Sequence, residues 1–319
     1  MTTARKSVPT DPSKFIPADQ MNFEQRPIDM KAPILLRPVG DDPGDKRNWV
    51  LKAIERTGQP LDEAIHTWAF GFALEDNLMW DSVVEHKGKS EARRAHEEIW
   101  RRIPSKYEEV ARKVFTWASD TPPFGLSLDI DVPEMLARHD ISAEDALVFW
   151  NRAFTGHDHQ MWRVWEDLYG ARDAVIMYSR VWEGFALGFL DVIKSTINMQ
   201  EFRTTDDLAK LNRAYWEAIG CEVEEVEHTP DRLVTLITTC PYFDNMVDMY
   251  GKEAASEMMK KTIGPTSANY YQTLMKAIGL WDTFFVTQDQ FRSLGDSVCR
   301  MVYVRRSAMS DDAPEREES

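Results

Sequence analysis

Cysteine, positive charge and long apolar runs are all scarce in this sequence. The 319 residues include three cysteines, Cys221, Cys240 and Cys299, an odd and sparse set that excludes a disulfide scaffold. The longest apolar stretch, Phe185 to Ile193, is interrupted by Gly188 and Asp191 and is too short to span a bilayer. The opening stretch, MTTARKSVPTDPSKFIPADQ, lacks the apolar core of a signal peptide, so the cytoplasm is the expected compartment. Lysine and arginine number 38 against 53 aspartates and glutamates, a formal net charge of -15. Such a chain lacks the basic face that displaces counterions from phosphates or adheres to anionic lipid. Neither nucleic acid nor membrane is an expected partner. No glycine-rich phosphate loop or nucleotide fingerprint is present.

Core-forming residues are plentiful. Hydrophobic residues make up 43% of the chain and tryptophans number eleven, enough for a large interior or an aromatic pocket. Residues 1–45 are rich in proline and charge and read as an extended arm, laid over the body through Phe15, Ile16, Ile34, Leu35 and Leu36. Residues 46–220 read as helical throughout and carry most of the tryptophans. Pro60 opens one long segment, Ser105 with Glu108 forms a capping box, Ser142 starts another helix, and Thr204 or Thr205 caps the last before Gly220. HQMWRVWEDLYG reads as a helix of its own.

After Gly220 the texture changes. CEVEEVEH and RLVTLITTC are rich in β-branched residues and flank the turn signal Thr229-Pro230-Asp231, which predicts a hairpin. Two helical stretches follow, the second read through to Leu294, and SVCRMVYVRR closes as a strand. Residues 221–306 are therefore expected as an α+β domain with helices packed on one face of a small antiparallel sheet. The chain as a whole is predominantly helical α+β, and residues 307–319 form an acidic, disordered tail. Asp167 to Ala174, DLYGARDA, echoes Asp248 to Ala255, DMYGKEAA; two helix-joining turns of similar chemistry explain it.

Two of the three cysteines sit at ends of sheet elements. Strand alternation puts Val234, Leu236, Thr238 and Cys240 on one face, and Cys299, Met301 and Tyr303 on one face of the last strand. Pro241 ends the strand, so a helix starts beside Cys240. Its free N–H groups would stabilise a thiolate. The two thiols can be a nucleophile and its accomplice, a metal pair, a redox couple, or ordinary buried side chains. Asp296 is the nearer base; its rival role is a turn residue. His228 lies across the hairpin. Tyr242 and Tyr250 are expected hydrogen-bond donors to a ligand.

The hairpin ending in Thr239-Cys240-Pro241 and the motif Gly295-Asp296-x-x-Cys299 together resemble the L-2-amino-thiazoline-4-carboxylic acid hydrolase family. That family is similar in outline to 4-vinyl-reductase-like ligand-binding domains. The resemblance covers about the last third of the chain. It implies hydrolytic opening of a small ring containing sulfur and nitrogen, with Cys240, Asp296 and Cys299 as the site. Family members often carry a further cysteine between the two motifs; this chain has none there. The tryptophan-rich helical region falls outside the resemblance.

The histidines offer a different chemistry. His157 and His159, in GHDHQ, would both reach one metal only from an extended segment or the start of a helix, since a continuous helix splays them. The bland reading leaves them exposed at a helix start. Glu63 and His66 have the spacing of half a di-iron motif without its partner half. His86, His96 and His139 lie among charges and are expected to face water.

Three functions are therefore open. The first is a small-molecule enzyme, hydrolase-like, acting through Cys240 and requiring no cofactor. The second is a sensor module holding the same ligand without chemistry. The third is a metalloenzyme using His157 and His159 or the cysteines. A homo-oligomer is compatible with each.

Overall fold

A computed structural model describes residues 49–309. The expected arm over residues 1–45 and the tail from residue 310 lie outside the described residues. Within them are ten α-helices and one four-stranded antiparallel sheet, the predominantly helical α+β class read from the sequence. The first eight helices are α1 (Trp49–Thr57), α2 (Leu61–Lys87), α3 (Lys89–Arg102), α4 (Ser105–Val114), α5 (Val132–His139), α6 (Ala143–Tyr169), α7 (Ala171–Thr196) and α8 (Thr205–Glu217).

Helix ends follow side-chain capping. Asp131 accepts from the Glu134 N–H at 2.9 Å and Ser142 from the Asp145 N–H at 3.1 Å. Thr204 and Asp207 complete a reciprocal capping box at the start of α8. The box expected at Ser105 is absent: Ser105 is already helical behind Pro104, and no side chain caps α4. Gly88, Gly170 and Gly251 join consecutive helices with φ near 86°, 83° and 84°. Only glycine adopts that backbone without strain, which accounts for the DLYG and DMYG echo as two joints of one geometry.

α2 is apolar on nearly every side and is wrapped by α3, α6 and α7. α6 runs unbroken through Gly156-His157-Asp158-His159, so GHDHQ lies in mid-helix and not at a helix start.

The sheet comprises β1 (Val223–His228), β2 (Arg232–Ile237), β3 (Phe284–Gln290) and β4 (Cys299–Arg305), in the order β1-β2-β4-β3. The β1–β2 hairpin closes as expected, with the Thr229 N–H donating to Arg232 O at 2.8 Å. α9 (Pro241–Tyr250) and α10 (Lys252–Ala277) fill the connection. The final helical reading fails beyond Ala277. Gly279, at φ 74°, stops α10, and Phe284 to Gln290 pairs with β4 as an additional strand.

Two apolar clusters form the core. One is built from α1 to α7, α9 and the first half of α10; the other joins α7, α8 and the second half of α10 to the sheet. Asn212 ties α8 to the sheet, donating to Thr235 Oγ1 at 2.8 Å and accepting from the Tyr303 hydroxyl at 3.1 Å. Phe189, Ile219 and Cys240 touch both clusters. The seam between them holds the site.

Candidate functional site

A cavity of about 160 Å³ lies on this seam. Its wall includes Trp68, Phe154, Trp182, Phe185 and Tyr270 from the helices, with Tyr178 and Tyr242 among them. Such a volume is that of one small ring, since a cavity of ~150 Å³ holds benzene. Cys240, Cys299, Arg292 and Ser293 line the sheet end of the cavity.

Strand register explains why the thiols meet. β2 and β4 pair with Ile237 opposite Cys299, so Cys299 emerges beside the end of β2. Cys299, Met301 and Tyr303 share the face that looks towards α10. The parity argument for Cys240 does not hold. β2 ends at Ile237, and its helix-facing residues are Leu233, Thr235 and Ile237, not Val234 and Leu236. Cys240 reaches the cavity because the pairing of β2 with β4 stops at Ile237 and the chain turns into α9, with Cys240 as the residue before the first helical turn.

The three thiols experience different environments. Cys240 is held below the usual thiol range, first by a hydrogen bond from Cys221, with the Arg292 guanidinium and the Phe243 N–H adding to it against burial. Burial pushes Cys221 well above that range, and it pushes Cys299 up to about 12 although the Arg292 N–H donates to Cys299 Sγ at 3.3 Å. Arg292 is buried and pairs with buried Asp244 at 3.3 Å. Burial raises Asp244 to about 6 against the pull of Arg292.

A second polar group stands behind the cavity's helical wall. Glu75, Asp76, His96, His157 and Asp158 are all at most 1% exposed. Asp76 accepts from Trp100 Nε1 at 2.7 Å and has His96 Nε2 at 2.9 Å. His157 Nδ1 lies 2.6 Å from Glu75 Oε2. Glu75 and Asp158 meet each other, and Tyr178 (at 2.8 Å) and Tyr242 both donate to Asp158 Oδ2. Burial and the facing carboxylate push Glu75 well above the usual range, and burial also raises Asp158. Glu75 Oε1 and Asp158 Oδ1 have no donor between them. Two buried carboxyl groups in contact cannot both ionise, so the pair keeps a proton. Tyr178 and Tyr242 connect that proton to the cavity wall.

Of the catalytic, substrate-binding and metal candidates, Cys240, Cys299 and Tyr242 line the cavity, and Asp296, His228, Tyr250, His157 and His159 do not. The Asp296 carboxylate accepts the Phe291 N–H at 2.8 Å, shaping the turn before β4. His228 sits at the hairpin end, 2.9 Å from Asp206 and 3.0 Å from Glu225. Tyr250 stacks on His159, with ring centroids 3.8 Å apart, and donates to Gly156 O at 3.3 Å. His157 faces Glu75 and His159 faces Tyr250, as their helical spacing dictates, so they do not converge. Among the described residues no three His, Cys, Asp or Glu side chains are placed to hold a metal ion. His96 and His139, expected in water, are buried.

Arg292 and the Glu75–Asp158 pair were not read from sequence. A signal existed for the acids: Glu75-Asp76-Asn77 interrupts an otherwise apolar run from Trp68 to Trp80, and Asp158 lies between histidines in a helix rich in aromatics. Arg292 carried none, because its segment was read as helix.

No family model, curated protein or solved structure matches the chain. Among the described residues no helix is long and apolar enough to cross a membrane.

Proposed function

We propose that this chain is a small-molecule enzyme of hydrolase type in which Cys240 attacks an electrophilic carbon of a flat, ring-sized substrate. The observation that carries this reading is a thiol before a helix N-terminus and near a buried arginine, on the wall of a ring-sized aromatic cavity. The thiolate is the nucleophilic form of cysteine, and its environment here favours that form. Attack forms a sulfur–carbon bond and breaks a carbon–heteroatom bond. The departing heteroatom takes a proton from Tyr242, which the Asp158–Glu75 pair resupplies. Water then attacks the thioester-like intermediate, its oxygen passing to the acyl carbon and Cys240 leaving as the thiolate. A proton of the water returns through Tyr242 to the Asp158–Glu75 pair. The steps require no cofactor. The resemblance to thiazoline-carboxylate hydrolases supplies the first substrates to test, five-membered rings containing sulfur and nitrogen. We place the activity in the cytoplasm, where the three free thiols persist.

The apolar character of the wall favours a second reading, a sensor that holds an aromatic ligand without turnover. A thermal-shift screen of small heterocycles, followed by mass spectrometry of the mixtures, separates the two. The enzyme reading expects product from at least one stabilising compound and a loss of 100-fold or more in rate with Cys240→Ser, about 2.7 kcal/mol of transition-state stabilisation. Binding with no product supports the sensor. Full turnover by a folded Cys240→Ser variant rejects Cys240 as the nucleophile.

A further inference from the structure

The third cysteine forms no bond to substrate in the reaction above, yet it sits against the reactive one. Cys221 follows the Gly220 stop of α8 and precedes β1. β1 and β2 pair with Val223 opposite Ile237, and the ladder extends past that pair. The Thr238 N–H donates to Glu222 O at 3.1 Å and the Glu222 N–H to Thr239 Oγ1 at 3.0 Å. Continuing that register puts Cys221 opposite Thr239, the residue before Cys240. The Cys221 and Cys240 thiols are near enough to interact with each other.

Exposure differs across the pair. Cys240 is half-buried and lines the cavity, so a small oxidant in the cavity reaches its sulfur. Cys221 has no exposed surface. Cys299 shares the cavity, but its sulfur accepts the Arg292 N–H.

We propose that Cys240 and Cys221 are an oxidation site for hydroperoxides, in which Cys240 is oxidised first and Cys221 captures it as a disulfide. The Cys240 thiolate attacks the terminal oxygen of the peroxide and breaks the O–O bond. It becomes a sulfenic acid, and the hydroperoxide is reduced to water or an alcohol. Cys221 then attacks the sulfenic sulfur. Its proton leaves with the hydroxyl as water, and the S–S bond forms. Overall two thiols lose two protons and two electrons to one hydroperoxide. The low thiol pKa of Cys240 speeds the first step, and the neighbouring thiol protects it from the irreversible sulfinic acid. This chemistry holds whether or not the cavity turns a substrate over.

The experiment exposes the native full-length chain to hydrogen peroxide, blocks remaining thiols by alkylation, and maps the peptides by mass spectrometry. The expected result is a Cys221–Cys240 disulfide, loss of two of the three alkylatable thiols, and full recovery with dithiothreitol. Cys299→Ser should leave the disulfide unchanged. Cys221→Ser should trap Cys240 as a dimedone-reactive sulfenic acid and make its over-oxidation at least tenfold faster. A Cys240–Cys299 disulfide overturns the proposal. So does a wild-type chain in which Cys240 over-oxidises while Cys221 stays free. The wild-type map decides the matter even if a variant fails to fold.

Discussion

Glu75 and Asp158 are acids placed where acids are costly: burial is the main reason that Glu75 holds a proton, and the facing Asp158 adds to it. Glu75 carries its proton far above the usual carboxylate range. Between its ordinary value of 4.5 and the raised folded value, the unfolded chain releases a proton that the folded chain keeps, so stability falls as pH rises through that window. Glu75→Gln keeps the shape and can donate its amide to Asp158 without carrying the titrating proton. We expect urea denaturation to show the variant gaining on wild type above pH ~4.5, by up to ~1.4 kcal/mol per pH unit. A constant difference across pH would show that Glu75 keeps no extra proton. Arg292 acts on the thiols by charge. Replacing it as Arg292→Gln removes a cation that favours the Cys240 thiolate, so the pH midpoint for alkylation of Cys240 should rise. An unchanged midpoint would leave the Cys221 contact and the helix start to account for the lowered value.

The close approach of α2 and α7 rests on two glycines. A Cβ on Gly184 would collide with buried Leu78, and one on Gly188 would lie 2.8 Å from Leu74. Gly184→Ala should cost ~1–3 kcal/mol in a denaturant titration, as overpacked cores do. Thr204→Ala, which deletes half of the capping box of α8, should cost ~1 kcal/mol without moving the cavity. The helical face patterns, the hairpin and the glycine joints were legible because each depends on neighbouring residues. Two elements were not. β3 reads as the tail of a helix until Gly279 is taken as its stop, and its pairing with β4 is a tertiary fact. α6 was divided at GHDHQ because polar residues suggested a boundary, whereas inside the bundle these residues meet partners on α2, α7 and α9. The same long-range pairing hides the acid group from sequence: Glu75 and Asp158 are 83 positions apart. Cys240 was correctly placed at a strand-to-helix corner, but its face could not be read by alternation once the strand ended at Ile237.

Across the whole molecule, the cavity belongs to both apolar clusters, with walls from α2, α6 and α7 as well as from α8 to α10 and the sheet. The sequence divided the chain at residue 220, but α7 packs along α10 across that division. A ligand in the seam therefore stabilises both halves together. At a concentration 100 times its Kd the gain is ~2.7 kcal/mol. Tryptophan fluorescence, weighted to the helical region, and far-UV circular dichroism should shift to higher temperature by the same amount. A shift confined to one probe would mean that the ligand occupies only one cluster.

The account depends above all on Cys240 being the reactive thiol of the cavity. Iodoacetamide alkylation of the native chain, followed over pH and assigned to each cysteine by mass spectrometry, tests it directly. We expect Cys240 to react first, with a midpoint below 9, the ordinary thiol value. Cys299 should follow only near 12, and Cys221 should stay unmodified until the chain unfolds. Faster labelling of Cys299, or a Cys240 midpoint at or above 9, would contradict it.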